Sequence, residues 1–214
     1  MELQLNHTAE ELEEGRLLFA RGTTFTKGVV NLNGLPSDEV VEVAFAGRSN
    51  VGKSSIINAL TNTTGLARTS NTPGRTRELN YFDVNGRMNL VDMPGYGYAR
   101  ASKEDVKRWN LLIKQYLKGR ANLRRVYILI DSRHGIKDSD IELMEMLDEA
   151  AVTYAPVLTK IDKIKKTDLA KVHASVIEKT GKRAAAFPFL IDTSSEKKMG
   201  IDSLRACIYT AIQG

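Results

Sequence analysis

The stretch G-R-S-N-V-G-K-S, Gly47–Ser54, decides how the rest of the chain is read. It follows the apolar run Val40–Ala46 and precedes S-I-I-N-A-L, so strand, glycine loop and helix are expected in succession. That is the context a phosphate-binding loop requires. Gly47 and Gly52 let the backbone turn sharply and approach an anion closely. The N–H groups of the intervening Arg48, Ser49, Asn50 and Val51 and of the helix start can then point at a phosphate, where the helix dipole also favours negative charge. Lys53 can reach the outer phosphates, and the Ser54 hydroxyl can ligate Mg²⁺. On ordinary residue frequencies a chance match in a chain this long is about one per cent. The stretch is therefore read as a nucleotide site.

Composition is consistent with a single globular protein. The chain has 214 residues, 42% of them hydrophobic and 27% charged, which suits a soluble domain with a substantial core. No apolar run approaches the ~20 residues that span a membrane. An acidic N-terminus (Glu10, Glu11, Glu13, Glu14) without an apolar signal segment leads to the expectation of a cytoplasmic protein, with no membrane partner and acting as a monomer. Cys207 is the single cysteine, in the apolar tail C-I-Y-T-A-I, and reads as a core residue. The net charge of +5 permits a nucleic-acid partner without demonstrating one.

The chain opens with a helix predicted from the T-x-x-E capping box of Thr8 and Glu11, ending near Gly22. Its apolar periodicity is untidy, so residues 1–22 read as a helical extension and 23–214 as the main domain. A loop is expected through Gly28, Asn31, Asn33, Gly34 and Pro36. After the glycine loop and its helix, T-G-L-A-R-T-S-N-T-P-G-R-T-R-E is long, polar and aperiodic, and loops of that kind are usually functional or disordered. Leu79–Val84 and Met88–Asp92 flank Asn85–Gly86, a strong hairpin signal. Next come P-G-Y-G-Y-A, a loop, and a helix over about 102–117. The strand V-Y-I-L-I-D, a helix over 138–150 and a short strand Pro156–Thr159 follow, with Pro156 acceptable only as a first residue. A helix over about 167–178, a strand over about 187–191 and a helix over about 201–212 close the chain. This alternation predicts a three-layer α/β fold with a mostly parallel, six-stranded sheet and helices on both faces.

A phosphate loop alone leaves ATP and GTP open. Asp92, in D-M-P-G at a strand end, can hold Mg²⁺ through water, and the Gly95 amide can bond the terminal phosphate. Thr159–Asp162, T-K-I-D, also follows a strand. Guanine offers N1–H and its 2-amino group as adjacent donors, which the Asp162 carboxylate can accept together. Adenine lacks that pair and would leave the carboxylate unpaired. Lys160 can lay its aliphatic stem over the base. T-K-I-D alone is weak; its order and place after a strand make the combination specific for GTP and GDP.

With these residues in view, the chain resembles the translation-factor-related bacterial GTPases, and within them the EngB family, also called YihA or YsxC. The segments that carry the resemblance are G-R-S-N-V-G-K-S-S, T-P-G-R-T-R, L-V-D-M-P-G-Y-G-Y-A, L-T-K-I-D-K and T-S-S-E-K-K-M-G-I, spanning Val43–Arg205. The P-G-Y-G-Y-A extension is the most specific. The resemblance implies a P-loop GTPase fold and adds Ser55, Gly74, Arg75, Thr76, Thr193, Ser194 and Ser195 to the nucleotide-binding set. Thr76 would be the switch threonine that meets Mg²⁺, acting in catalysis with Lys53 and Gly95. Ser194 and Ser195 would lie in the last guanine-contacting loop. It further implies a role in assembling the large ribosomal subunit, through its rRNA and ribosomal proteins, with cell-division and septation defects when the protein is missing.

Other residues have plainer readings. His7, His134 and His173 lie far apart with no ligand spacing around them, so zinc is not expected. Trp109, Val106, Ile113, Tyr116 and Leu117 share one helical face and read as core. Lys103, Lys107, Lys114 and Lys118 share the opposite face, either a solvated surface or an RNA-facing strip. Tyr96 stands where many GTPases place the glutamine that orients the attacking water. Slow intrinsic hydrolysis is therefore expected, stimulated by a partner. Related GTPases with an aromatic residue there often use an asparagine at the position of Asn50 to hold K⁺; the plainer reading is that Asn50 only stabilises the loop turn. Two other classes compete with the switch: a GTP-binding interaction module with negligible turnover, and an ATP-dependent phosphotransfer enzyme, which Asp162 disfavours.

Overall fold

The computed structural model describes residues 6–67, 78–97 and 103–214. Seven strands form one sheet in the order β1-β3-β4-β2-β5-β6-β7. These are β1 (Thr23–Val29), β2 (Glu42–Gly47), β3 (Leu79–Val84), β4 (Met88–Asp92), β5 (Leu123–Asp131), β6 (Tyr154–Thr159) and β7 (Ile191–Asp192). From β4 to β7 all pairings are parallel, whereas β1, β3 and β4 pair antiparallel. The helices are α1 (Ala9–Ala20), α2 (Lys53–Thr61), α3 (Lys103–Gly119), α4 (Asp138–Glu149), α5 (Lys166–Thr180) and α6 (Ile201–Gln213). They cover both faces of the sheet, and alternation along the strands assigns residues to each. Ala44, Ala46, Val126, Ile128 and Ile130 face the α3–α4 side, while Val43, Phe45, Tyr127 and Leu129 face α2 and α6.

The strand count corrects the expectation of six. Thr23–Val29, read as the start of a loop, pairs with β3 instead, at the sheet edge. Its middle residues are exposed and its register shifts between Phe25 and Lys27, so no hydrophobic alternation marks it. The hairpin turn, by contrast, follows its sequence signal: Asn85 and Gly86 both take positive φ (56° and 68°), and Arg87 N–H returns to Val84 O at 3.1 Å.

Pro156 lies inside β6 rather than at its start. The N–H of Tyr154 points at Ala185 O, and alternation puts the Pro156 nitrogen on that same side. There the neighbouring chain leaves the ladder between the Tyr154–Ala186 bridge and the two-residue β7, so no hydrogen bond is forgone. The strand expected over Phe187–Ile191 shrinks for a related reason. Pro188 interrupts it, and Phe187 and Phe189 turn to each other with Arg125 stacked 3.7 Å over the Phe187 ring.

Helix α1 begins at the expected capping box: Thr8 Oγ1 accepts from Glu11 N–H at 3.1 Å, and Glu11 Oε2 from Thr8 N–H at 2.8 Å. It lies against α6 so closely that a Cβ on Gly15 would stand 2.6 Å from the Ala206 nitrogen. Leu18 and Phe19 are buried with the α2–α6 cluster, a burial worth about 2 kcal/mol each.

In α3, Trp109, Ile113, Tyr116 and Leu117 are buried as expected, but Val106 is 42% exposed and does not belong to that face. On the other side Lys107, Lys114 and Lys118 are exposed, with Lys114 3.3 Å from Glu149 of α4; the Lys103 side chain lies outside the described residues. Beneath the α3 C-terminus a buried Glu42 gathers Tyr116 OH at 2.9 Å and the Arg120 guanidinium, tying β2 to the helix. No helix among the described residues is long and apolar enough to cross a membrane.

Candidate nucleotide site

The parallel strands end at one edge of the sheet, and the residues there are Gly47 (β2), Asp92 (β4), Asp131 (β5), Thr159 (β6) and Asp192 (β7). Ligands of open α/β sheets bind at this carboxyl edge. The glycine loop crosses it and enters α2, with Gly52 at φ 104° as the N-cap and Asn50 at φ 63° in the left-handed region. A Cβ on Gly47 would fall 2.8 Å from Val51 Cγ1 and 3.1 Å from Leu129 Cβ, so only glycine fits beneath the loop.

Lys53, the first residue of α2, reaches across to Asp92 and forms an ion pair with it, both side chains mostly buried. The two residues expected on the phosphates and on Mg²⁺ therefore meet. Ser54 and Ser55 follow in the first turn. Gly95 passes directly against the loop, its Cβ position 3.4 Å from Ser49 Cα and N. Ser49 N–H donates to Tyr96 O at 3.0 Å, and Tyr96 N–H to Gly47 O at 3.4 Å, so the D-M-P-G segment is joined to the glycine loop by backbone.

Several expected residues contribute main chain rather than side chain. Val51 is buried in the core, and its carbonyl accepts the Thr159 hydroxyl at 2.7 Å. The Arg48 side chain runs beside Gly97, towards α4. Thr193 donates its hydroxyl to Leu158 O at 2.7 Å, and its carbonyl accepts from Ile161 N–H. Gly74, Arg75 and Thr76, together with Arg77 and Arg100, lie outside the described residues.

At the base end, Asp162 sits in a single 3-10 turn, Ile161–Lys163. The Ser194 hydroxyl beside it, aided by Lys163 at 3.2 Å, holds its carboxyl below the usual carboxylate range. Asp162 is thus an ionised acceptor, as recognition of two guanine donors needs. Ser194 is buried and bridges back to Met199, which closes the T-S-S-E-K-K-M-G loop, while Ser195 stays partly exposed along the same groove. Lys160, at φ 58°, directs its Nζ to Asn50 O (2.7 Å) and Asp131 Oδ2 (2.9 Å). Asp131 was not singled out from sequence, although a carboxylate ending a buried strand at this edge was a readable signal.

Tyr96 turns away from the loop. Its ring is buried 5.5 Å from Trp109, and its hydroxyl donates to Asp140 Oδ1 at 2.8 Å. Burial pushes the Tyr96 pKa up, and burial also raises that of Asp140, whose other oxygen accepts from Lys137 N–H at 2.8 Å. Trp109 Nε1 donates to Pro94 O at 3.1 Å, so α3 and α4 both grip the D-M-P-G-Y segment. Of the histidines, His173 pairs with Asp192 at 2.8 Å, and no cluster of three or more His, Cys, Asp or Glu able to hold a metal occurs among the described residues. Cys207 is buried as expected, its thiol pushed up to about 12 by burial.

Known proteins share this chain's sequence and fold. Residues 42–163 match the model of the 50S ribosome-binding GTPase family. A probable GTP-binding protein EngB of Roseobacter denitrificans is 57% identical over 92% of this chain and 91% of its own length, and one from Brucella melitensis is 56% identical over 92% and 85%. The crystal structure of a probable GTP-binding protein engB superposes with a TM-score of 0.67 at 26% identity, covering 81% of this chain and 99% of that one. Era of Aquifex aeolicus, at 22% identity, 81% and 56% coverage and a TM-score of 0.60, shares the fold. With its glycine loop, D-M-P-G and T-K-I-D gathered at one sheet edge, the chain belongs to the EngB family of GTP-binding proteins, on a P-loop GTPase fold.

Proposed function

We propose that this protein is a GTP-controlled switch in assembly of the large ribosomal subunit, required for normal cell division and septation, and acting as a cytoplasmic monomer. The observation that carries the switch is the gathering of Lys53, Asp92, Gly95 and the Asp162 loop around the glycine loop at one edge of the sheet. The family's description as ribosome-binding supports the partner. In this reading the loop from Gly47 to Ser55, Gly95 and, from the switch segment, Gly74, Arg75 and Thr76 bind the phosphates. Thr159, Lys160, Asp162, Thr193, Ser194 and Ser195 form the base end.

The oxygen donors at the phosphate end suit Mg²⁺, a hard cation that takes hydroxyl, carboxylate and phosphate oxygens. Ser54 and Thr76 would hold it directly and Asp92 through water, with the metal neutralising phosphate charge. Lys53, released from Asp92 when phosphates arrive, stabilises charge developing on them. The buried Tyr96 offers the attacking water no donor–acceptor pair, which favours slow basal turnover that a partner raises.

The GTP state binds a large-subunit precursor through ordered switch loops and basic residues, including Arg75, Arg77, Arg100 and the lysine strip of α3. Co-sedimentation with ribosomal particles in GDP, GTP and a non-hydrolysable analogue tests this. Binding is expected to prefer the analogue and to weaken steeply with salt, because phosphate contacts release counterions. Charge reversal at Lys107 and Lys114 tests the strip separately. Equal binding of the GDP and analogue forms, or no salt dependence, would overturn the reading.

Asn50 bears on a second cation. It is exposed and left-handed beside the phosphate loop, and we read its side chain as a K⁺ ligand. Hydrolysis is then expected to run at least several-fold faster in potassium than in sodium at matched ionic strength. Asn50→Ala should abolish that difference while largely sparing GTP binding. Equal rates in both salts, with ribosomal particles present, reject it.

A further inference from the structure

Lys160 reaches its position through residues outside its own loop. Its Nζ lies between Asn50 O of the glycine loop and Asp131 Oδ2 at the end of β5. The Asp131 side chain is only 4% exposed. Its carboxylate also accepts Arg133 Nε and Nη2 at 2.9 and 2.7 Å, and Arg133 N–H at 3.0 Å. The adjacent Ser132 donates its hydroxyl to Lys160 O at 3.1 Å. The end of β5 thus grips Lys160 twice, by its carbonyl and by its ammonium. Between those points the lysine stem passes over Gly52, where a Cβ would stand 3.6 Å from Lys160 Cε.

We propose that Asp131 is a positioning residue for nucleotide binding: it fixes the Lys160 ammonium against the Asn50 carbonyl, locking the base loop to the phosphate loop before nucleotide enters. The proposal deepens the GTP-site reading and rests on it. A lysine stem has four rotatable bonds, and ordering it costs entropy that a single hydrogen bond to one carbonyl hardly offsets. A buried carboxylate changes that balance, because a charge-assisted bond shielded from water is about twice as strong as a neutral one. Burial raises the Asp131 pKa, but the hydrogen bonds from Arg133 and Lys160 outweigh it and hold the carboxyl well below the usual range. The anchor is therefore charged throughout the working range. Arg133, 43% exposed, meets the same carboxylate from outside; without its side chain, Lys160 and the N–H of residue 133 still hold Asp131 ionised, so the lock is expected to survive.

Release of a fluorescent GDP analogue from the intact protein, followed by stopped flow, tests this. Asp131→Asn keeps the shape and removes the charge, and is expected to raise the dissociation rate about tenfold. Lys160→Met keeps the stem, loses the ammonium and should raise it comparably. The double variant should release no faster than Lys160→Met alone, because Asp131 acts only through that ammonium. Arg133→Ala should stay within about twofold of the parent. If Asp131→Asn does not fold, Asp131→Glu serves, speeding release only while Lys160 is present. A merely structural role would give additive effects. Additive rates, or an unchanged rate in Asp131→Asn, overturn the proposal. A parent chain that bound no guanine nucleotide would instead overturn the GTP-site reading.

Discussion

Asp162→Asn is expected to abolish the preference for GTP and to transfer it to XTP. The carboxylate accepts two adjacent donors from guanine, and the amide replaces one acceptor with a donor that faces a donor. Xanthine carries a carbonyl where guanine carries its amine, so the new amide finds a partner there. Discrimination built on buried pairing of this kind reaches about four to five orders of magnitude. The Ser194 hydroxyl that holds the Asp162 carboxyl low in pKa remains available to the amide, so the loop should keep its shape. Competition binding with GTP, ATP and XTP measures the shift, and undiminished GTP preference in the variant would remove Asp162 from the base site.

Gly200→Ala is expected to lower stability by about 3 kcal/mol or more, through two additive causes. The residue takes φ 68°, and its Cβ would fall 1.8 Å from the Asp192 carbonyl oxygen, a backbone atom that ends β7. Gly22→Ala is the control: φ is 99°, but nothing lies within 4 Å, leaving only the left-handed penalty of about 1–2 kcal/mol. For a domain of this size the difference appears as several degrees in Tm. Equal melting temperatures for the two variants would show that the loop before α6 yields freely.

Signals written into neighbouring residues were legible, and signals made by distant ones were not. The hairpin Leu79–Asp92 follows from Asn-Gly between two apolar runs, because the turn that pins the register is local. Strand β1 escaped because its order comes from pairing with β3, fifty or more residues away in sequence, while its own pattern is that of an exposed edge with a shifted register. Pro156 was misplaced for the same reason: only the course of the neighbouring chain shows that its missing N–H faces a gap. In the site, the glycine loop, Asp92 and Asp162 are recognisable from spacing. The Asp131–Lys160–Asn50 lock and the Tyr96–Asp140 bond join residues between 29 and 110 positions apart and exist only once the sheet has formed.

The contact of α1 with α6 has a consequence for synthesis. Helix α1 docks mainly on α6, with a smaller contact on α2, across a seam so tight that Gly15 admits no side chain. Synthesis makes α1 long before α6, so Leu18 and Phe19 have only their α2 neighbours for cover until α6 emerges. Closing that seam requires α6, so it cannot precede synthesis of Ile201–Gln213. Until then the nascent chain carries α1 with much of its apolar face uncovered.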